Sequence, residues 1–154
     1  MVFVVLALLS AGAASCGSGT SRLSAEEFAE QANIACDETN DAIMAINLVD
    51  ATDPDASAGG LERIAEIQQE LRDRLAGLRP PSDAQAVHDE WIEQIDIALD
   101  ESTRLADAVR SGDVATQTDA NEVGGAAAGR AEASATQLGA NECVLESEPV
   151  PSGG

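Results

Sequence analysis

The chain has 154 residues, with 28 Asp and Glu against eight basic residues, all of them Arg, for a net charge of −20 at pH 7. That balance excludes a phosphate-binding stripe, and with it a nucleic-acid partner, as well as adsorption of the polypeptide to anionic lipid headgroups; a solvated, self-repelling acidic surface is its plain meaning. Two Phe, one Trp and no Tyr, among abundant Ala, exclude a β-sandwich and favour close-packed helices.

The chain opens with an unbroken apolar and small-residue run from Val2 to Ala14, closed by Ala13-Ala14-Ser15-Cys16. Small residues at that place suit a signal peptidase pocket, so residues 1–15 read as a signal peptide ending in a lipobox. Cys16 is then the lipidation site: a diacylglycerol thioether on its sulfur would tie the mature protein to the extracytoplasmic face of a cell membrane. Ala13 stands where lipoproteins usually carry Leu, and no Lys or Arg precedes the run. A non-lipidated export signal and a spanning helix are the alternatives; a span needs ~20 apolar residues, more than this run supplies. All three put the rest of the chain outside the cytoplasm. Residues 16–23 form the lipidated tether.

The first helix is predicted to start at Ser24 and Glu27, an S-x-x-E capping box, with Leu23 packing on Phe28. Phe28, Ala32, Ala35, Thr39, Ala42, Ile46 and Val49 recur at alternating four and three spacing and carry this helix to Asp53-Pro54. A loop is expected over residues 55–60. The second helix runs from Leu61 to Leu78, with Ile64, Ile67, Leu71 and Leu75 on one side, and stops at Pro80-Pro81. Ser82 or Asp83 is expected to cap the third, which carries Ala84, Val87, Trp91, Ile95, Ala98, Ser102, Leu105 and Val109, with Leu99 broadening the face. Gly112-Asp113 supplies a left-handed stop and a new cap. The fourth helix is thin, with Gly124, Gly125 and Gly129 inside it, and ends at Leu138-Gly139; residues 144–154 read as a disordered tail.

Four amphipathic helices with short breaks and no strand pattern predict an all-α fold: an antiparallel up-down-up-down four-helix bundle over residues 24–143. In that topology the start of the first helix and the end of the fourth share one end of the bundle. Cys36 lies ~18 Å along its helix, so the segment after Gly139 must fold back for Cys143 to reach it. Export and the absence of a competing thiol once Cys16 is acylated favour a Cys36–Cys143 disulfide over two inert thiols.

The segments Ala32-Asn33-Ile34-Ala35-Cys36, Asp37-Glu38-Thr39-Asn40, Leu78-Arg79-Pro80-Pro81, Trp91, Gly112-Asp113 and Leu138-Gly139 before Cys143 resemble a group of uncharacterised small exported helical lipoproteins of actinobacteria. These carry A-N-x-x-C early and L-G-x-x-x-C late, and the likeness covers about residues 16–143. It implies an envelope location and a disulfide-closed bundle, and no reaction.

Chemistry-bearing patterns are few. A di-iron bundle needs E-x-x-H on two helices, whereas the chain has one His, His88, three positions after Gln85. Haem would have to use Met44 and His88 from opposite ends of the bundle, which leaves His88 as a solvated or edge-packed side chain. From Asp53 a calcium loop would need Gly at its sixth position and Glu at its twelfth, where Ala58 and Ile64 stand. There is no G-x-S-x-G and no free Cys to act as nucleophile. No catalytic residues, metal or cofactor are expected.

The expectation is a monomeric, noncatalytic lipoprotein whose partners are the membrane, through Cys16, and an unknown envelope protein. The alternative is a carrier of a small apolar ligand between the third and fourth helices, with Trp91, Ile95 and Leu99 as its wall. Dense packing of interiors predicts that these three, with Leu71 and Leu75, fill the space opposite the glycine-rich stretch and leave no enclosed pocket approaching ~300 Å³.

Overall fold

A computed structural model describes residues 21–46 and 53–144. The signal segment, Cys16, most of the tether, Val49 and the tail beyond residue 144 lie outside the described residues. Four helices follow in order, α1 (Ala25–Met44), α2 (Pro54–Gly77), α3 (Gln85–Ser111) and α4 (Val114–Gln137), and a short 3-10 turn, Asn141–Cys143, closes them. The described residues contain no strand, and the helices form the antiparallel bundle that their periodicity predicts.

Ser24 starts α1 as expected: Glu27 N–H donates to Ser24 Oγ at 3.2 Å, and Ser24 N–H donates to Glu27 Oε2 at 2.9 Å. Leu23 packs against the core cluster that holds Phe28. The buried stripe runs Phe28, Ala32, Ala35, Cys36 and Thr39, then stops; Ala42 is exposed and the helix ends at Met44, well before Asp53. Met44 is 85% exposed, so the side chain that ends α1 is left uncovered by its neighbours.

The loop expected over residues 55–60 is helix. α2 begins at Pro54, where the fixed φ and missing N–H suit the first helical position, and Asp53 Oδ1 accepts from Asp55 N–H at 3.0 Å. Ala58 is fully buried, and Arg110 on α3 reaches Glu62 at 2.6 Å, so packing against α3 outweighs the low propensity of Gly59 and Gly60. The cap expected at Ser82 or Asp83 is also absent. Ala84 N–H donates to Pro81 O at 3.1 Å, and α3 starts after this turn with Ala84 at the N-cap and no side-chain bond. Buried Pro80, rather than a capping side chain, aims the entry of α3.

Both later stops follow the expectation. Gly112 takes φ 71° and Gly139 φ 76°. In each case the two N–H groups at the stop return to carbonyls of the last turn: Asp113 to Ala108 and Gly112 to Val109, then Ala140 to Ala135 and Gly139 to Thr136. Asp113 also caps α4, accepting from Thr116 N–H at 3.1 Å.

The main core gathers Phe28, Ala32, Ala35 and Cys36 from α1, Leu75 from α2, Trp91 from α3 and Ala131 and Ala135 from α4, closed by Leu138 and Ala140. The segment after Gly139 folds back along α1, and Cys36 and Cys143 form the disulfide with Cα atoms 5.1 Å apart, inside the ~7 Å limit for a bridge. Asn33 holds the same segment at both ends. Its Oδ1 accepts from Glu142 N–H at 2.9 Å and its Nδ2 donates to Gly139 O at 3.2 Å, while Asn40 Nδ2 donates to Glu142 O at 3.1 Å.

The scarce arginines stitch helices that neighbour one another in the chain. Arg74 joins Glu38 of α1 at 2.8 Å, and Arg72 grips Asp96 of α3 through two bonds of 2.6 and 2.8 Å. Arg104 pairs with Asp119 of α4, and Arg130 Nε donates to buried Gln94 at 2.7 Å. α4 lies tight on α3: a Cβ built on Gly124 would come within 3.2 Å of the Glu101 Cβ. By contrast, no Cα of α4 comes within 8 Å of a Cα of α1.

Candidate functional site

The gap between α1 and α4 opens into an apolar crevice of about 450 Å³. The crevice is open to solvent and not enclosed, so the expectation of no enclosed pocket is not overturned. Trp91, Ile95, Leu99, Leu71 and Leu75, however, expected to fill the space, border it without filling it. The cause lies in α4. Its small side chains let it settle on α3, and the ones turned toward the interior, Ala128 and Ala131, are too short to bridge to α1. The wall expected for a carrier, Trp91, Ile95 and Leu99 of the third helix, does border the crevice together with α4, but α1 and α2 line it as well, so it is not confined to the α3–α4 interface.

Every helix contributes to the wall. α2 supplies Ile64, Gln68, Leu71 and Leu75; α3 supplies Trp91, Ile95, Ala98 and Leu99; α4 supplies Ala128, Ala131 and Glu132. From α1 come Cys36, Thr39, Asn40, Ile43 and Met44, and Cys143 completes the end beside the disulfide. Leu75 and Trp91 form the buried base, whereas Ile43, Ile64, Leu71, Ile95 and Ala98 are only half-buried, with apolar surface facing the opening.

Few polar groups interrupt this lining. The Thr39 hydroxyl donates to Ala35 O within its own helix at 2.8 Å, and the Asn40 amide is engaged by Glu142 O. Gln68 and Glu132 are the remaining polar residues of the wall, and Glu132 is the one charged residue on it.

His88 lies one helical turn from Trp91 and is buried at 4% exposure, which excludes the solvated reading and leaves the edge-packed one. Its ring meets Phe28 edge-on at 5.5 Å and Trp91 at 6.5 Å. Nε2 is 3.0 Å from Leu75 O, and since a carbonyl only accepts, Nε2 carries the proton. Nδ1 is buried without a hydrogen-bond partner, with Asp89 Oδ1 3.7 Å away. The histidine thus braces the base of the crevice between α2 and α3.

Titration is perturbed at the helix ends. The Ser24 N–H and hydroxyl hold the Glu27 carboxyl below its ordinary value of 4.5, and Thr116 does the same for Asp113. Asp96, Glu62 and Asp119 raise the partnered guanidiniums of Arg72, Arg110 and Arg104. Among the described residues, no three His, Cys, Asp or Glu side chains converge as a metal site, and no helix is long and apolar enough to cross a membrane.

Of the residues expected to matter, Cys36 and Cys143 meet, and Trp91, Ile95 and Leu99 share one wall; Cys16 lies outside the described residues. Ile64 lies on the apolar face expected of the second helix and Ala128 in the thin stretch of the fourth, whereas Glu132 completes the site without a distinguishing sequence signal, because helical spacing alone does not tell a filled interior from a hollow one. Asn33 did carry a signal, as a poor helix former inside a strong helix. No protein-family description, curated protein or solved structure matches this chain.

Proposed function

We propose that the protein is a noncatalytic, lipid-anchored helical bundle on the outer side of a cell membrane, and that it binds a small apolar ligand in the crevice between α1 and α4. The observation that carries this reading is the crevice itself, about 450 Å³ of apolar wall based on Trp91. Ligand sites typically fall between ~300 and 1,000 Å³, with mostly hydrophobic linings and a few polar groups. The lipobox at Cys16 and a disulfide of the kind oxidising compartments preserve support the location. Docking of an envelope protein, first in order on the sequence alone, becomes the second reading.

The test is purification of the native lipoprotein with mass spectrometry for small molecules, alongside Nile red, a neutral apolar dye, titrated into the unloaded protein. One dye per chain, with energy transfer from Trp91, the chain's single Trp, is expected. Ile95→Trp, which places a larger ring in the hollow, should abolish binding while the helical spectrum is unchanged. Dye binding that Ile95→Trp leaves intact would refute the assignment. A mature terminus other than acylated Cys16 would refute the anchor.

A further inference from the structure

We infer that the crevice selects an amphiphile with a cationic head: the apolar body lies against Leu71, Trp91 and Ile95, and the positive charge rests on Glu132. The inference rests on the ligand-binding reading and names the chemical class of its ligand.

Three observations carry it. First, Glu132 is the charged residue on an otherwise apolar wall, it is half-buried, and its carboxylate makes no hydrogen bond or ion pair among the described residues. A carboxylate that loses part of its hydration beside apolar surface is stabilised by an opposite charge brought to it. Second, no Arg lines the crevice. Arg72, Arg74, Arg104, Arg110 and Arg130 are engaged with Asp96, Glu38, Asp119, Glu62 and Gln94 on neighbouring helices, and no Arg among the described residues pairs with Glu132. Third, the net charge of −20 draws cations toward the molecule and repels anionic amphiphiles before any contact forms. An apolar body with an anionic head would place like charge against Glu132, and one with a neutral head would leave that carboxylate unpaired.

The experiment uses the full chain carrying Cys16→Ser, which cannot be acylated and is handled without detergent. Dodecyltrimethylammonium and dodecyldimethylamine oxide, which share a chain and differ in head charge, are titrated at pH 8 below their micelle concentrations while Trp91 emission is followed. Salt is kept at 0.15 M, where the screening length is ~8 Å and distant carboxylates contribute little. The ammonium is expected to bind about tenfold tighter than the amine oxide. Glu132→Gln should reduce that preference to within about twofold and leave amine-oxide binding unchanged. Glu122→Gln, exposed on α4 and ~15 Å along the helix from Glu132, should retain it. Equal affinity of the two probes for the unsubstituted chain overturns the cationic-head inference and leaves the apolar-ligand reading standing. Preference that survives Glu132→Gln, or that Glu122→Gln removes equally, also overturns it, since bulk charge would then be the source. Failure of both probes to bind overturns both readings.

Discussion

Removing the disulfide with Cys36→Ala and Cys143→Ala together tests how this bundle holds its open side. The bond spans a sequence separation of 107 residues, and in the chain-entropy model a loop of that size contributes ~4.8 kcal/mol by restricting the unfolded chain. Domains of this kind have ~5–15 kcal/mol of net stability, so the loss is a third of the total or more. At ~4 °C per kcal/mol for this size, Tm should fall by about 20 °C. Alanine is the suitable replacement because Cys36 is 2% exposed and a serine would add a buried hydroxyl. The native state should change too. No Cα of α1 lies within 8 Å of α4, so beside the shared core the bridge and the bonds of Asn33 and Asn40 help to hold α1 to the segment that follows α4. Urea unfolding followed by circular dichroism measures the first effect, and Nile red affinity measures the second. A double variant within ~1 kcal/mol of the parent, with unchanged dye affinity, would refute the reasoning.

Asn33→Ala removes one acceptor and one donor from the closing segment and should cost ~1–3 kcal/mol in chemical denaturation, with little effect for the exposed neighbour Gln31→Ala. Gly139→Ala should destabilise by ~1–2 kcal/mol, because φ is 76° and the new Cβ meets Ala29 Cβ at 3.3 Å, whereas Gly125→Ala, in open space within α4, should raise stability by ~0.5–1 kcal/mol. The same sign for both in thermal melts would contradict the geometry. Glu27 has its pKa lowered on folding, so its charge stabilises the fold above the ordinary value of 4.5 and that contribution fades as pH falls through the lower folded value. The Tm difference between the parent and Glu27→Gln should therefore be full at neutral pH and shrink below 4.5, and a difference that grows on acidification would be the wrong sign.

Local chemistry was legible in the sequence wherever one short segment settles its own conformation. Ser24 with Glu27 starts α1, Gly112 with Asp113 ends α3 and starts α4, and Gly139 turns the chain back; each depends on hydrogen bonds and φ values within a few residues. The Cys36–Cys143 pairing was legible too, because four alternating helices bring those two segments to one end. What the tertiary structure decided is wherever distant elements compete with local preference. Residues 55–60 are helical because α3 packs on α2, and buried Pro80 takes over the role expected of a capping side chain at α3. The crevice belongs to the same class. The periodicity of α1 reaches Ile46 and beyond, but among the described residues its burial stops at Thr39, because α4 packs on α3 and no Cα of α4 comes within 8 Å of α1. Periodicity identifies an apolar face, and only the distances between helices determine whether that face is covered or left open.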